Sequence, residues 1–403
     1  MSALLVEQLI KKGVVIPQPN TVWISPDIDP GHIAPGAVLH AGCRIEGART
    51  VIDAGAIIGR EGPAVVMNCQ VGREVHLASG YFEGSVFLDG SSMGGAAHVR
   101  PGCLIEEQAG GAHAVGLKQT VLLPYVTLGS LVNFCDCLMA GGTNRKNHSE
   151  VGSSYIHFNF TPHQDKATGS LIGDAPRGIW LDQPPIFLGG QGGLVGPARI
   201  AFGTVIPAGQ IIRRDITEAG QLVVAEPPAP GAQAYDGKAY GRIDRLVRNN
   251  LNYIGNLRAL RAWYTVVRKP FMVENAVRQA LHAGALKALD ALIEERVKRL
   301  GEVVAKLPES LARLRVRTDS RGTEAMRQQQ VLIDQWPSIL QGLTQDGDEL
   351  PCPDALLARL PTASVLVGTD YLHWVSATPP EIKAEGTTWL DAVVARTVSL
   401  WKL

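Results

Sequence analysis

Val151-Gly152-Ser153-Ser154-Tyr155-Ile156-His157-Phe158-Asn159-Phe160 opens the stretch that decides the fold. A polar loop from Thr161 to Gly169 follows, then Leu171-Ile172-Gly173-Asp174. The stretch closes with Val195-Gly196-Pro197-Ala198-Arg199-Ile200-Ala201-Phe202-Gly203-Thr204-Val205-Ile206-Pro207-Ala208-Gly209-Gln210-Ile211. An aliphatic or small apolar residue returns about every six positions, often with Gly, Ala or Pro beside it. Hexads of this kind wind a parallel β-helix, in which each hexad makes one flat face and three faces close a coil. One coil cannot bury its apolar stack alone, so coils must pile on each other. The loop at 161–169 interrupts the period, and insertions in solenoids often mark the binding face.

The same register runs outward from this stretch. Ile33-Ala34-Pro35-Gly36-Ala37-Val38 and Leu39-His40-Ala41-Gly42-Cys43-Arg44 are consecutive hexads, and further copies start at Ile52, Ile58, Val71, Leu77, Val99, Ile105, Val115 and Leu128. A β-sandwich does not explain a fixed six-residue period, because its strands are separated by turns of variable length. The 44 glycines suit tight corners in every coil. The expectation is a β-helix of about nine to ten coils over residues 14–225.

Before and after this region the character changes. Residues 1–13 read as a short amphipathic helix stopped by Gly13. A Pro-rich linker covers 226–234, and the period becomes helical from Tyr240. Ile243, Val247, Leu251, Ile254, Leu257, Leu260 and Trp263 make one apolar stripe. A second helix is expected from Pro270, a third over 323–343, a short one near 353–360, an extended piece at Ser364–Val367 and a last helix from Trp389 to Trp401 capped by Thr388. The chain is therefore read as mainly β with α: a β-helix followed by an α-helical region over 236–403.

The 38 basic and 38 acidic side chains balance, which gives no electrostatic footprint for nucleic acid or an anionic membrane. No apolar run reaches the roughly 18 residues of a spanning helix. The six cysteines are scattered, with no CxxC pair and no secretory signal, so a reduced, cytoplasmic protein is expected. His40, His76, His113, His148, His157 and His163 show no compact ligand spacing, so no metal is expected. There is no nucleophile signature for a Ser-His-Asp hydrolase.

Several pieces resemble the acetyltransferase half of the bifunctional N-acetylglucosamine-1-phosphate uridyltransferase / glucosamine-1-phosphate acetyltransferase family. They are Gly13-Val14-Val15-Ile16-Pro17 after the first helix, Val99-Arg100-Pro101-Gly102, Val151-Gly152 through Asn159-Phe160, and Ile206-Pro207-Ala208-Gly209. No Gly-rich loop of the uridyltransferase kind precedes the hexads, so uridylyl transfer is not expected of this chain alone. The resemblance implies a left-handed β-helix, a homotrimer with sites in clefts between subunits, and acetyl coenzyme A as donor to an amino-sugar phosphate or nucleotide sugar.

Carried over residue by residue, it makes Arg100 and Lys118 the holders of the sugar phosphate. Their spacing of 18 residues is three hexads, which stacks them on one face. An Arg fork beside a Lys point charge suits a phosphate monoester. Asn159 and Phe160 match the pair lining the sugar and acyl site. Lys166 lies near a lysine that reaches another subunit, and Gly190 and Ala208 match positions along the coenzyme A arm. The departure is at the base: the family uses a histidine where this sequence has Asp136, a weak proton acceptor unless desolvation raises its pKa. His148, His157 and His163 crowd the same stretch, and any of them could replace it. Two functions follow as expectations: acyl transfer to a phosphorylated sugar, or a catalytically silent relative that still binds a nucleotide sugar.

Overall fold

The computed structural model describes residues 2–403 apart from 227–228, 233–234, 316–319, 346–349 and 362–369. Its first part is a parallel β-solenoid of three sheets. Sheet I has ten strands, from Trp23–Ile24 to Ile211–Ile212; sheet II has eight, from Val51–Ile52 to Arg199–Ile200; sheet III has nine, from Val38–Leu39 to Val205–Ile206. The chain visits I, II and III in turn. Isolated parallel bridges at Val15–Val38 and Val205–Leu222 extend the winding at each end, past the nine to ten coils expected.

The corners explain the composition. One residue per corner turns through the left-handed region, where glycine carries no Cβ penalty. Gly36 (φ +82°), Gly55 (φ +73°) and Gly102 (φ +85°) do so, but Gln119 (φ +49°) and Asp136 (φ +62°) take the same conformation. Inside the prism, Ile24, Ile45, Val66, Phe82, Val99, Leu117 and Phe134 form one fully buried column from sheet I.

The second part is helical. After α1 (Ser2–Lys12) and a short α2 (Ala175–Gly178) within the solenoid come α3 (Asp244–Trp263), α4 (Ala276–Leu314), α5 (Ser320–Thr344), α6 (Asp354–Leu357), α7 (Tyr371–Ala377) and α8 (Pro380–Val398). Two starts differ from the sequence expectation. Pro270 lies in a 3-10 turn, Lys269–Met272, and the long helix begins at Ala276, where the Asn275 side chain accepts from Arg278 N–H at 3.0 Å. The last helix begins eight residues before Thr388, whose hydroxyl donates to the Ala384 carbonyl inside the helix instead of capping it. The expected extended piece at Ser364–Val367 lies outside the described residues.

The helical region lies on sheet II. Strands in the middle of sheet III pair an outer polar with an inner apolar residue, as in His76-Leu77, Ser92-Met93 and Glu150-Val151, while Val38-Leu39, Ile57-Ile58, Phe187-Leu188 and Val205-Ile206 toward its ends are apolar at both positions. Strands of sheet II are apolar on both sides: Val86-Phe87, Leu104-Ile105, Val121-Leu122 and Leu138-Met139. The outward members Val86, Leu104, Val121 and Leu138 are buried by the helices. Trp180 on the solenoid meets Trp263 edge-on at 4.9 Å in this interface. Among the described residues, no helix is long and apolar enough to cross a membrane.

Candidate functional site at the corner between sheets I and II

Sheet I delivers Arg100 and Lys118 to its edge. Val99 is in register with Leu117, so the residues that follow them, Arg100 and Lys118, stack one coil apart, about 4.8 Å along the prism. Lys118 is in turn paired with Cys135 on the next coil. Arg100 reaches across this column, its Nη2 standing 3.2 Å from Cys135 Sγ. Both cations are half-buried, and among the described residues neither forms an ion pair with a carboxylate.

Asp136 turns the corner immediately after Cys135. Its carboxylate is closed in. Arg296 Nη2, from the middle of α4, lies 2.9 Å from Oδ1, and Asn159 Nδ2 donates to Oδ2 at 3.3 Å. Asp136 and Arg296 are only 2% and 1% exposed. Burial pushes the Asp136 pKa up, while Arg296, Asn159 and Lys118 pull it down. Arg296 also donates to the Lys166 carbonyl (3.0 Å) and to Gln119 Oε1 (3.2 Å). One guanidinium thus ties two successive corner residues and the inserted loop to the helical region.

That loop is held by the helical region along its length. Lys306 Nζ donates to the carbonyls of His163 and Gln164 at 2.9 and 2.8 Å. Tyr240 OH donates to Asp165 at 2.8 Å, and Asn250 to the Ala167 carbonyl at 2.9 Å. Asn159 is half-buried, Phe160 is exposed, and Lys166 is half-buried.

The three histidines go to three different places. His157 is in register with Leu194, in the column that points into the prism, and is buried with Nε2 2.8 Å from Ser170 Oγ. Burial pushes its pKa down to about 4. His148 ends a small antiparallel hairpin, Gly142–Asn144 with Asn147–His148. Arg145 at the hairpin tip is bonded to Gln108 and Tyr125 carbonyls, at the corner between sheets II and III. His163 stacks on the Tyr240 ring at 4.1 Å, and its Nδ1 is 3.0 Å from the Gly237 carbonyl. Gly190 and Ala208 lie at the opposite edge of sheet I, at the corner with sheet III, where Gly209 N–H donates to the Gly190 carbonyl at 2.9 Å. A Cβ on Gly190 would come within 2.7 Å of the Ser153 carbonyl, so close coil packing explains that glycine.

Arg100, Lys118, Asp136 and Asn159 are therefore brought together, while the histidines are not. Arg296, Gln119 and Cys135 complete the cluster and were missed in the sequence. Arg296 did carry a signal: it is a charged residue at helical spacing from Leu289, Ile293 and Leu300, inside an otherwise apolar stripe. Among the described residues, no group of three or more His, Cys, Asp or Glu side chains is arranged to hold a metal.

Curated relatives match about half of the chain. Bifunctional protein GlmU of Nitratidesulfovibrio vulgaris (strain Hildenborough) is 29% identical over 216 residues, 53% of this chain and 42% of its own. About half of this chain is GlmU-like. The GlmU of Lawsonia intracellularis is 29% identical over 217 residues, covering 54% of this chain and 42% of its own. That of Shouchella clausii is 27% identical over 210 residues, 52% and 41%. The chain thus spans less than half the length of the GlmU proteins it matches. No family model matches the chain.

Proposed function

We propose that the Arg100–Lys118 corner binds the phosphate of an amino-sugar phosphate or nucleotide sugar. On this reading the chain is a ligand-binding protein on a left-handed, acetyltransferase-type β-helix, and Asp136 is not a base. The observation that carries it is the buried Asp136–Arg296 pair. An acceptor must reach the proton it removes within about 2.6–3.2 Å, directly or through one water. Both Asp136 oxygens are engaged, by Arg296 and Asn159, and the carboxylate is sealed from solvent. By contrast, among the described residues the two cations beside it form no ion pair with a carboxylate, and they stack at one-coil spacing, which suits a phosphate.

The second reading is acetyl transfer from acetyl coenzyme A, with Gly190 and Ala208 along the coenzyme arm. It is favoured by the similarity to GlmU proteins. It would require Arg296 to leave Asp136, or a base from another chain of a homotrimer. The outer faces of sheets I and III, away from the helical region, are where neighbouring copies would sit.

One experiment separates the two. Thermal denaturation is followed with glucosamine 1-phosphate or UDP-N-acetylglucosamine, alongside thiol release from acetyl coenzyme A. Binding without chemistry predicts stabilisation that grows with ligand concentration, disappears in Arg100→Ala, and comes with no thiol release. Thiol release abolished by Arg100→Ala would establish the second reading.

A further inference from the structure

Two coils on from Lys118, the same column of sheet I presents an aromatic face. Lys118 is in register with Cys135, and Asn133 with Ile156, which brings Phe158 beneath Cys135. Phe158 is 39% exposed. Its ring lies over the next coil at Gly193: a Cβ there would stand 2.5 Å from ring carbon Cε2. The missing side chain lets the ring lie against the sheet backbone while the residue keeps its exposure to solvent. Along the column the order is therefore Arg100, Lys118, Cys135, Phe158. At about 4.8 Å per coil, the Phe158 backbone is roughly 10 Å from Lys118, and its ring lies toward the coil beyond. Asn133, exposed on the coil between them, adds an amide donor and acceptor.

Inorganic phosphate has no use for that ring, and the sugar of a sugar phosphate held at Lys118 stops short of it, because two coil steps lie between. A nucleotide can use it: its phosphates and its base are separated by a ribose, and every base has a face that stacks on an aromatic side chain. We infer that the ligand of this corner is a nucleoside diphosphate compound, with its phosphates on Arg100 and Lys118, its ribose beside Asn133 and its base on Phe158. This rests on the phosphate-binding reading above. The shared chemistry could come from a nucleotide sugar or from the adenosine diphosphate end of coenzyme A, and the probes tell these apart.

Titration calorimetry on the full chain would compare UDP, ADP and inorganic pyrophosphate. The expected result is that UDP or ADP binds at least about tenfold more tightly than pyrophosphate, the scale of one base–aromatic stack. Phe158→Ala would erase that preference and leave pyrophosphate affinity unchanged, whereas Phe158→Trp would keep it. A preference for UDP assigns a nucleotide sugar; a preference for ADP assigns the coenzyme. Equal binding of nucleotide and pyrophosphate, insensitive to Phe158→Ala, overturns the inference and leaves phosphate binding standing. No binding of any probe by the wild type overturns the phosphate reading itself. A change in oligomeric state in Phe158→Ala with nucleotide affinity intact also overturns the inference, because the ring then covers a second copy of the chain.

Discussion

Asp136 and Arg296 meet at 2.9 Å with almost no solvent contact, one from the corner of the solenoid and the other from the long helix α4. Lys118 is a second cation that pulls on Asp136, whereas Arg296 otherwise meets the neutral Lys166 carbonyl and Gln119, so removing one charge strands much of the other. Stranding a buried charge costs about 3–5 kcal/mol, more than the pair itself is worth against an apolar replacement. Arg296→Met should therefore destabilise by that amount, and Asp136→Asn by less, since the amide still fits Asn159. The double substitution should recover part of the loss. Urea unfolding of the four proteins gives the coupling directly, and additive effects would mean that the pair is not a unit.

The interface on sheet II predicts an asymmetry between two faces of the same prism. Leu104 points outward from sheet II yet is fully buried beneath the helical region, whereas Ser92 points outward from sheet III and is exposed. Leu104→Glu places an unpaired charge in that interface, and the expected loss is at least about 3 kcal/mol, with early protease cleavage between the solenoid and α3. Ser92→Glu should stay within about 0.5 kcal/mol of wild type. Limited proteolysis and thermal denaturation of both variants make the comparison. Equal tolerance would show that the helices are not held on sheet II.

The six-residue period was legible because the inner column must be apolar in every coil, from Ile24 to Phe134. The covered face was legible in principle too. In three consecutive coils Val86-Phe87, Leu104-Ile105 and Val121-Leu122 are apolar pairs where sheet III carries His76-Leu77 and Ser92-Met93, although sheet III has apolar pairs of its own at Ile57-Ile58, Phe187-Leu188 and Val205-Ile206, so the contrast is local to these coils. Helix starts were harder. Pro270 is an acceptable first residue for a helix, but Asn275 offers a side-chain cap and took the role. Of the site, the stacking of Arg100 on Lys118 followed from their spacing alone. The fate of Asp136 did not, because its partner lies 160 positions away in a region whose docking no local pattern specifies. His157 was misleading for a related reason: alternation along Ile156-His157-Phe158 puts the central residue inward, and proximity in sequence to Asn159 hid that.

Glu106 and Glu107 face a single arginine where the helical region crosses sheet II. Arg268 pairs with Glu107, Tyr264 OH donates to Glu106 at 2.6 Å, and Tyr371 lies under Arg268 at 3.6 Å. Burial pushes the Glu106 pKa up to about 7; Arg268 opposes the shift and Glu107 adds to it. The folded value exceeds the unfolded one near 4.5, so this group's stabilising contribution is complete below about pH 4.5 and is lost as pH rises through 7. The slope from one proton is at most about 1.4 kcal/mol per pH unit. Glu106→Gln should remove that slope. Urea midpoints at pH 5, 6, 7 and 8 for wild type and variant test it, and parallel curves would refute the assignment.

His157 should give the opposite sign. Its folded pKa, about 4, lies below the unfolded value near 6.5 because burial disfavours the imidazolium. The unfolded chain takes up the proton first, so the contribution is complete above about pH 6.5 and is lost as pH falls through 4. His157→Leu matches its register partner Leu194 and removes the titration, while Ser170 Oγ keeps the Ala198 N–H at 3.0 Å. The variant should lie within about 1.5 kcal/mol of wild type at pH 7. Below pH 6 it should lose stability less steeply than wild type, measured with Glu106→Gln in both backgrounds to isolate the slope. Ligand affinity at the Arg100–Lys118 corner should not change, since the imidazole lies inside the prism and cannot touch a molecule bound outside it. A loss of binding in His157→Leu, with the fold intact, would return that histidine to the list of working residues.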